Sequence, residues 1–281
     1  MNQVDFIKSL YEMTDDEIKK LYKLLKKNKD ELSQRLANIL LEYTITDGNM
    51  DIKRVDRVKL YNDISKQVIQ DSKEMSKIEV DLIDGILITV INETAKYWNY
   101  NIGFEDVRKI IKTNFKGKHF SNRVWENEEV VAKKLHLLIN DFLDGKVNVN
   151  QIKREIEKVF NSSAYNAKRL VETEVARVED EAFKRFCKET GVKKIKRNAI
   201  LDTHTCSDCA DYDGVIYDLD NAPSLPSHPF VVASMRLWNK ISHRSVYKGY
   251  LFCSFNNNSI ALSSNFDIGT PLSFDKAFNF S

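Results

Sequence analysis

All four prolines of this 281-residue chain, Pro223, Pro226, Pro229 and Pro271, lie in its last 59 residues, and the first 222 residues contain none. Proline removes a backbone donor and clashes with the preceding helical turn. A long proline-free stretch rich in Lys, Glu, Leu and Ile therefore favours long helices. The apolar spacing agrees. Thr14 followed by Glu17 reads as a capping box, and Ile18, Leu21, Leu24, Leu25, Leu32, Leu36, Ile39 and Leu40 recur beyond it at helical intervals. This predicts a helix over 15–43. The turn signal Asp47-Gly48-Asn49 follows, then a second helical block over 51–98 with a break expected at Ser72. Shorter helices are expected over 104–115, 128–143 and 150–160. A longer one over 163–190 is stopped by Gly191. Short strands are expected at 196–201 and 215–217, around a turn at Asp213-Gly214. The fold class is thus mainly α, with long amphipathic helices followed by a small α+β C-terminal domain that carries the cysteines.

Composition removes several classes. Hydrophobic residues make up 42% and charged residues 30%, which is enough apolar material to bury a core. The formal charge is only +2, so no strong field announces nucleic acid or an anionic membrane. No apolar run approaches the roughly eighteen residues of a membrane span. The start, Met1 to Asp5, is polar and lacks an apolar signal core, so secretion by that route is not expected. Four cysteines in a chain of this length do not make a disulfide scaffold.

The chemistry-bearing residues cluster late in the chain. Cys206-Ser207-Asp208-Cys209 is a C-x-x-C pair beside a turn. Two thiolates at this spacing can grip one tetrahedral metal, and His228 lies at a plausible distance to be a third ligand. Cys206, Cys209 and His228 are therefore the candidate zinc ligands, one short of a closed structural site. Two cysteines in a small metal-free core is the competing reading. Redox chemistry is disfavoured because a loop, not a helix, is expected to follow the pair. Lys193, Lys194, Lys196 and Arg197 form a basic cluster that could touch DNA phosphates, or could be a solvated strand edge. Arg169, Thr173 and Arg177 share one face of the predicted 163–190 helix, and Glu174 adjoins Thr173.

The order of these pieces resembles the phage head morphogenesis proteins, the Mu protein F-like minor head proteins. That family shows a helix with a Thr-Glu pair, here Thr173-Glu174 with Arg169 on the same helix. About thirty residues later it shows Asp-x-x-Thr-Cys-x-x-Cys, here Asp202 and Thr205 through Cys209. Asp-Gly follows, here Asp213-Gly214, and then Pro-x-x-His-Pro, here Pro226-Ser227-His228-Pro229 with one residue fewer. The resemblance covers roughly residues 125–229. It implies a minor head (minor capsid) protein of a tailed phage or prophage, acting in head morphogenesis by binding and not by turnover. Portal, capsid or scaffold proteins would be its partners, and DNA a further one, with no membrane. Its places would be the virion or procapsid, and the host cytoplasm during assembly. The alternatives are a metal-dependent hydrolase or nuclease, or a nucleic-acid-binding zinc module.

The family pattern stops at Phe230, where one residue and then Cys-x-Cys would follow. Residues 231–281 contain no glutamate against eighteen in the first 230, and hold nine Ser, six Asn and six Phe. Restoring one base ahead of the codons for Val231-Val232-Ala233 permits Cys-Arg-Cys in the shifted frame. The chain is therefore read as a helical region over 1–160, a motif domain over 161–230 and an aberrant tail over 231–281, with a frameshift as one explanation of the tail and a natural divergent tail as the other. The tail carries five basic and two acidic residues, so the first 230 residues have a net charge of −1 and the slight basicity belongs to the tail.

Overall fold

A computed structural model describes residues 1–46, 48–199, 207–227 and 233–238. Five helices dominate it: α1 (Gln3–Glu42), α2 (Arg54–Tyr97), α3 (Phe104–Lys112), α4 (Phe120–Leu143) and α5 (Val149–Glu189). A short hairpin of β1 (Thr44–Thr46) and β2 (Asn49–Asp51) joins α1 to α2. Beyond α5 come β3 (Lys194–Ala199), the five-residue α6 (Ser207–Asp211), β4 (Ile216–Asp218), a 3-10 turn (Leu219–Asn221) and β5 (Ala233–Leu237). The last three strands form an antiparallel sheet in the order β4-β3-β5. The protein is mainly α with a small C-terminal sheet, as the proline distribution predicts. No helix among the described residues is long and apolar enough to cross a membrane.

The helices run longer than the local signals suggest. α1 starts at Gln3, not after Thr14. Asn2 caps it by accepting from the Asp5 amide at 2.9 Å. Phe6, Ile7 and Leu10 extend its buried stripe, and the Thr14 hydroxyl bonds back to the Tyr11 carbonyl inside the helix. α2 is unbroken at Ser72, whose hydroxyl donates to the Glu128 carbonyl of α4. The helices expected over 150–160 and 163–190 are one. Asn148 and Gln151 close a capping box at its start. The weak helix formers at 161–163 are carried through because Ser163 is buried and donates to Glu128 at 3.2 Å. Tertiary packing here overrides local propensity. The boundary drawn at residue 160 therefore falls inside α5.

α5 is the spine. At 41 residues it is about 60 Å long. Its first half, including Ile152, Ile156 and Ala167, packs with the C-terminal part of α1, the first half of α2 and the end of α4. Its middle, from Leu170 to Ala182, packs with the start of α1, the end of α2, α3 and the start of α4. Its end, Phe183 and Cys187, joins Ile195, Leu219, Leu225, Ala233 and Met235 in the core of the small sheet. The described residues all belong to one compact unit, Met1–Asn239. Strand β5 lies beyond Phe230, where the composition changes, yet it pairs with β3 from Ile195↔Leu237 to Ala199↔Ala233. The end of this unit and the point of compositional change do not coincide.

Candidate functional site

The Thr-Glu helix is α5, and its motif face is mostly interior. The Thr173 hydroxyl donates to the Arg169 carbonyl one turn back, at 2.7 Å. Glu174 and Arg177 are each 1% exposed, and Arg177 Nε donates to Glu174 Oε2 at 2.6 Å. Arg177 Nη1 also reaches the Ile110 carbonyl of α3 at 2.9 Å and Glu181 at 3.0 Å. A buried cation is tolerable only with partners of this kind, because desolvation of each lone charge costs several kcal/mol. The pair therefore locks α5 to the C-terminal end of α3.

One turn further, α5 is tied to the cysteine-bearing end. Asp180, 1% exposed, accepts from Lys184 at 2.8 Å and from the Leu225 amide at 3.1 Å. Lys184 also donates to the Pro223 carbonyl at 2.8 Å. Burial pushes the Asp180 carboxyl up, opposed by Lys184 and the Leu225 amide. Its neighbour Glu179 is raised to about 8, by burial first and then by the Asp180 charge. Asp180 and Lys184 thus make the junction with the 223–227 segment. A second buried acidic pair lies between α2 and α4. Glu79 of α2 is raised to about 8 by burial and by Glu128, and Glu128 of α4 to about 7 by burial, against its bond from Ser163. None of these five side chains belongs to the family motif. The signal that could have found the carboxylates is their position on apolar stripes: Val68, Met75, Glu79, Ile83 and Ile86 on α2, and Val124, Glu128, Leu135 and Ile139 on α4.

In the small sheet, Arg197 corrects an expectation. It is 1% exposed, so it cannot serve as a DNA contact. Its guanidinium donates to Ser227 Oγ at 2.9 Å, contacts Cys209 Sγ at 3.7 Å and lies over the Tyr212 ring at 5.1 Å. β3 alternates, with Ile195, Arg197 and Ala199 turned inward, and the buried guanidinium is carried on that face. Of its basic neighbours, Lys193 and Lys194 are exposed, Lys194 paired with Asp218 at 2.9 Å, and Lys196 is half-buried. The predicted turn is present. Gly214 takes a left-handed φ of +79° and its amide bonds the Arg197 carbonyl, while Asp213 accepts from the Ala199 amide at 2.8 Å.

Of the three candidate metal ligands, only Cys209 is described, and it is buried in α6. Cys206, His228, Asp202, Thr205 and Pro229 lie outside the described residues. Among the described residues no three His, Cys, Asp or Glu side chains gather as a metal would need. The short helix α6 begins at Ser207, inside the C-x-x-C pair, and ends at Asp211, and the loop expected after the pair follows as a turn over 212–214. Pro226 follows a cis peptide bond.

No family model matches the chain, and no curated protein or solved structure matches it.

Proposed function

We propose that this chain is a minor head protein of a tailed phage or prophage, acting in procapsid morphogenesis by binding portal and capsid components. The reading rests on the order Thr173-Glu174, Cys206-x-x-Cys209, Asp213-Gly214 and His228-Pro229 along the chain. The observation that carries it furthest is the use of this motif in the fold. Glu174 sits in a fully buried ion pair. Asp213 and Gly214 fix the turn of the small sheet. Glu174 and Asp213 thus serve the framework of the fold, which is the role a binding protein needs from them. Zinc at Cys206, Cys209 and His228 would be structural in this reading, holding the small sheet together.

Exposed apolar side chains supply the contact surface. Leu41, Val55 and Val58 stand out at the α1–α2 end, and Phe104, Trp125 and Leu137 on α3 and α4. Large exposed hydrophobics mark interaction surfaces when they gather. DNA is a further partner, through Lys193 and Lys194, the two most exposed members of the basic cluster.

Sequencing the DNA on either side of the coding region tests the class. A portal gene immediately upstream, with scaffold or capsid genes downstream, supports the proposal. Flanking genes of unrelated metabolism would sink it. The same reads decide the frameshift: a missing base near the Phe230 codon supports it, and a template in which no single restored base extends the family pattern refutes it.

A further inference from the structure

We propose that the recess between the 115–118 turn, the start of α4 and the middle of α5 is an anion pocket that takes a phosphate ester. The inference rests on the charges gathered there and stands apart from head assembly. The recess measures about 320 Å³. That is roughly ten waters' share of liquid volume, room for a phosphate with part of its ester group.

Three cations line it, Lys116, Arg123 and Arg169, with the amides of Asn127 and Asn166. Its single acid, Glu126, is already held by Lys118 at 2.7 and 2.8 Å. The local charge is therefore positive and uncompensated from within. Arg169 is exposed, and its guanidinium has no hydrogen-bond or ion-pair partner among the described residues. Arg123 uses one terminal nitrogen on the Phe115 carbonyl, while its Nε is buried and unpartnered. Planar guanidinium forks suit a tetrahedral oxyanion, which accepts two parallel N–H bonds from each.

The turn that brings up Lys116 is an independent observation. Phe115 and Lys118 exchange both backbone hydrogen bonds, at 3.0 and 3.2 Å, across a two-residue loop. Both central residues have positive φ, +48° at Lys116 and +82° at Gly117. Such a turn prefers Asn, Asp or Gly at its first central position, because a longer side chain there crowds the backbone. A lysine kept in a disfavoured conformation at the lip of a basic recess is accounted for by what its ammonium does. That ammonium lies over the Phe115 ring and donates to the Ser227 carbonyl at 2.8 Å, which places it at the pocket edge.

The test is titration of the full chain with inorganic phosphate at low salt, followed by phosphorus NMR and calorimetry, then competition with a short oligothymidylate. Saturable phosphate binding is expected. Arg169→Gln should weaken it about tenfold or more, equivalent to about 1.4 kcal/mol, with the melting temperature unchanged because the Arg169 guanidinium has no hydrogen-bond or ion-pair partner among the described residues. Lys116→Asn should weaken it similarly while keeping the turn, for which Asn is favoured. Competition by the oligonucleotide assigns the pocket to a nucleic-acid backbone. Phosphate binding that the oligonucleotide leaves intact assigns it to a small phosphorylated compound. Absence of saturable phosphate binding, or wild-type affinity in either variant, overturns the proposal.

Discussion

At the residue scale, the buried Glu174–Arg177 pair explains why a motif helix would keep charged side chains in its interior. Glu174 is compensated by Arg177, which is held in turn by Glu174, Glu181 and the Ile110 carbonyl. Arg177→Met should cost about 3–5 kcal/mol in chemical denaturation, because Glu174 is left as an uncompensated buried charge. The double variant Glu174→Leu with Arg177→Met should recover most of that loss, since apolar replacement of a whole buried pair is close to neutral. If the single and double variants lose equal stability, the pair does not act as a unit. The sequence placed Arg169, Thr173, Glu174 and Arg177 on one helix, but could not say which of them faced inward. It left Arg197 open as a surface cation, because a lysine-rich run hides the one member whose strand position turns it into the core. Alternation along 194–199 is the available clue, and it is masked because Arg197, at an inward position between Ile195 and Ala199, is itself charged.

At the element scale, the striped helices were legible and their ends were not. Thr14-Glu17 has the form of a start signal, yet a stronger cap at Asn2 and the apolar residues Phe6, Ile7 and Leu10 lie ahead of it. The Asn161-Ser162-Ser163 run has the form of a stop, yet Ser163 is a buried contact to α4. Strand β5 was not foreseen at all, because residues 231–281 read as foreign to the rest of the chain. In the structure Met235 is fully buried against β3 and its carbonyl accepts from Gln3 of α1. Met235→Ala should therefore cost about 2–5 kcal/mol, as deletion of a buried side chain does. Amide exchange should then quicken along Lys194–Ala199, where β5 supplies the pairing. Unchanged exchange there would show that β5 does not cover the edge of β3.

At the scale of the whole molecule, Glu79, Glu128 and Glu179 are buried in the helical body with no ion pair among the described residues, and their burial makes its stability depend on pH. Glu79 and Glu179 titrate near 8 and Glu128 near 7 when folded, against 4.5 when free. The folded protein thus holds more protons than the unfolded chain between about 4.5 and 8. Stability must fall as pH rises through that window. The contribution is fully present below about 4.5 and lost by about 8. Glu79→Gln with Glu128→Gln should flatten the decline and raise the melting temperature at pH 8 by about 2–4 °C for each kcal/mol recovered. A melting temperature that rises from pH 5 to 8 in wild type and variant alike would contradict the burial of these groups. The fold class was written in the proline distribution. The interior carboxylates were not, because a charged residue on an apolar stripe looks the same whether its stripe is deeply or partly covered. The central claim is that this framework serves head assembly. Its most direct measurement is sedimentation of the protein, made together with the portal and capsid proteins of a tailed phage whose genes flank its own if the proposal holds, through a sucrose gradient. The account predicts that it travels with the procapsid in few copies per particle and is lost from particles lacking portal. Recovery of the whole protein at the top of the gradient, with portal and capsid particles formed normally, would contradict it.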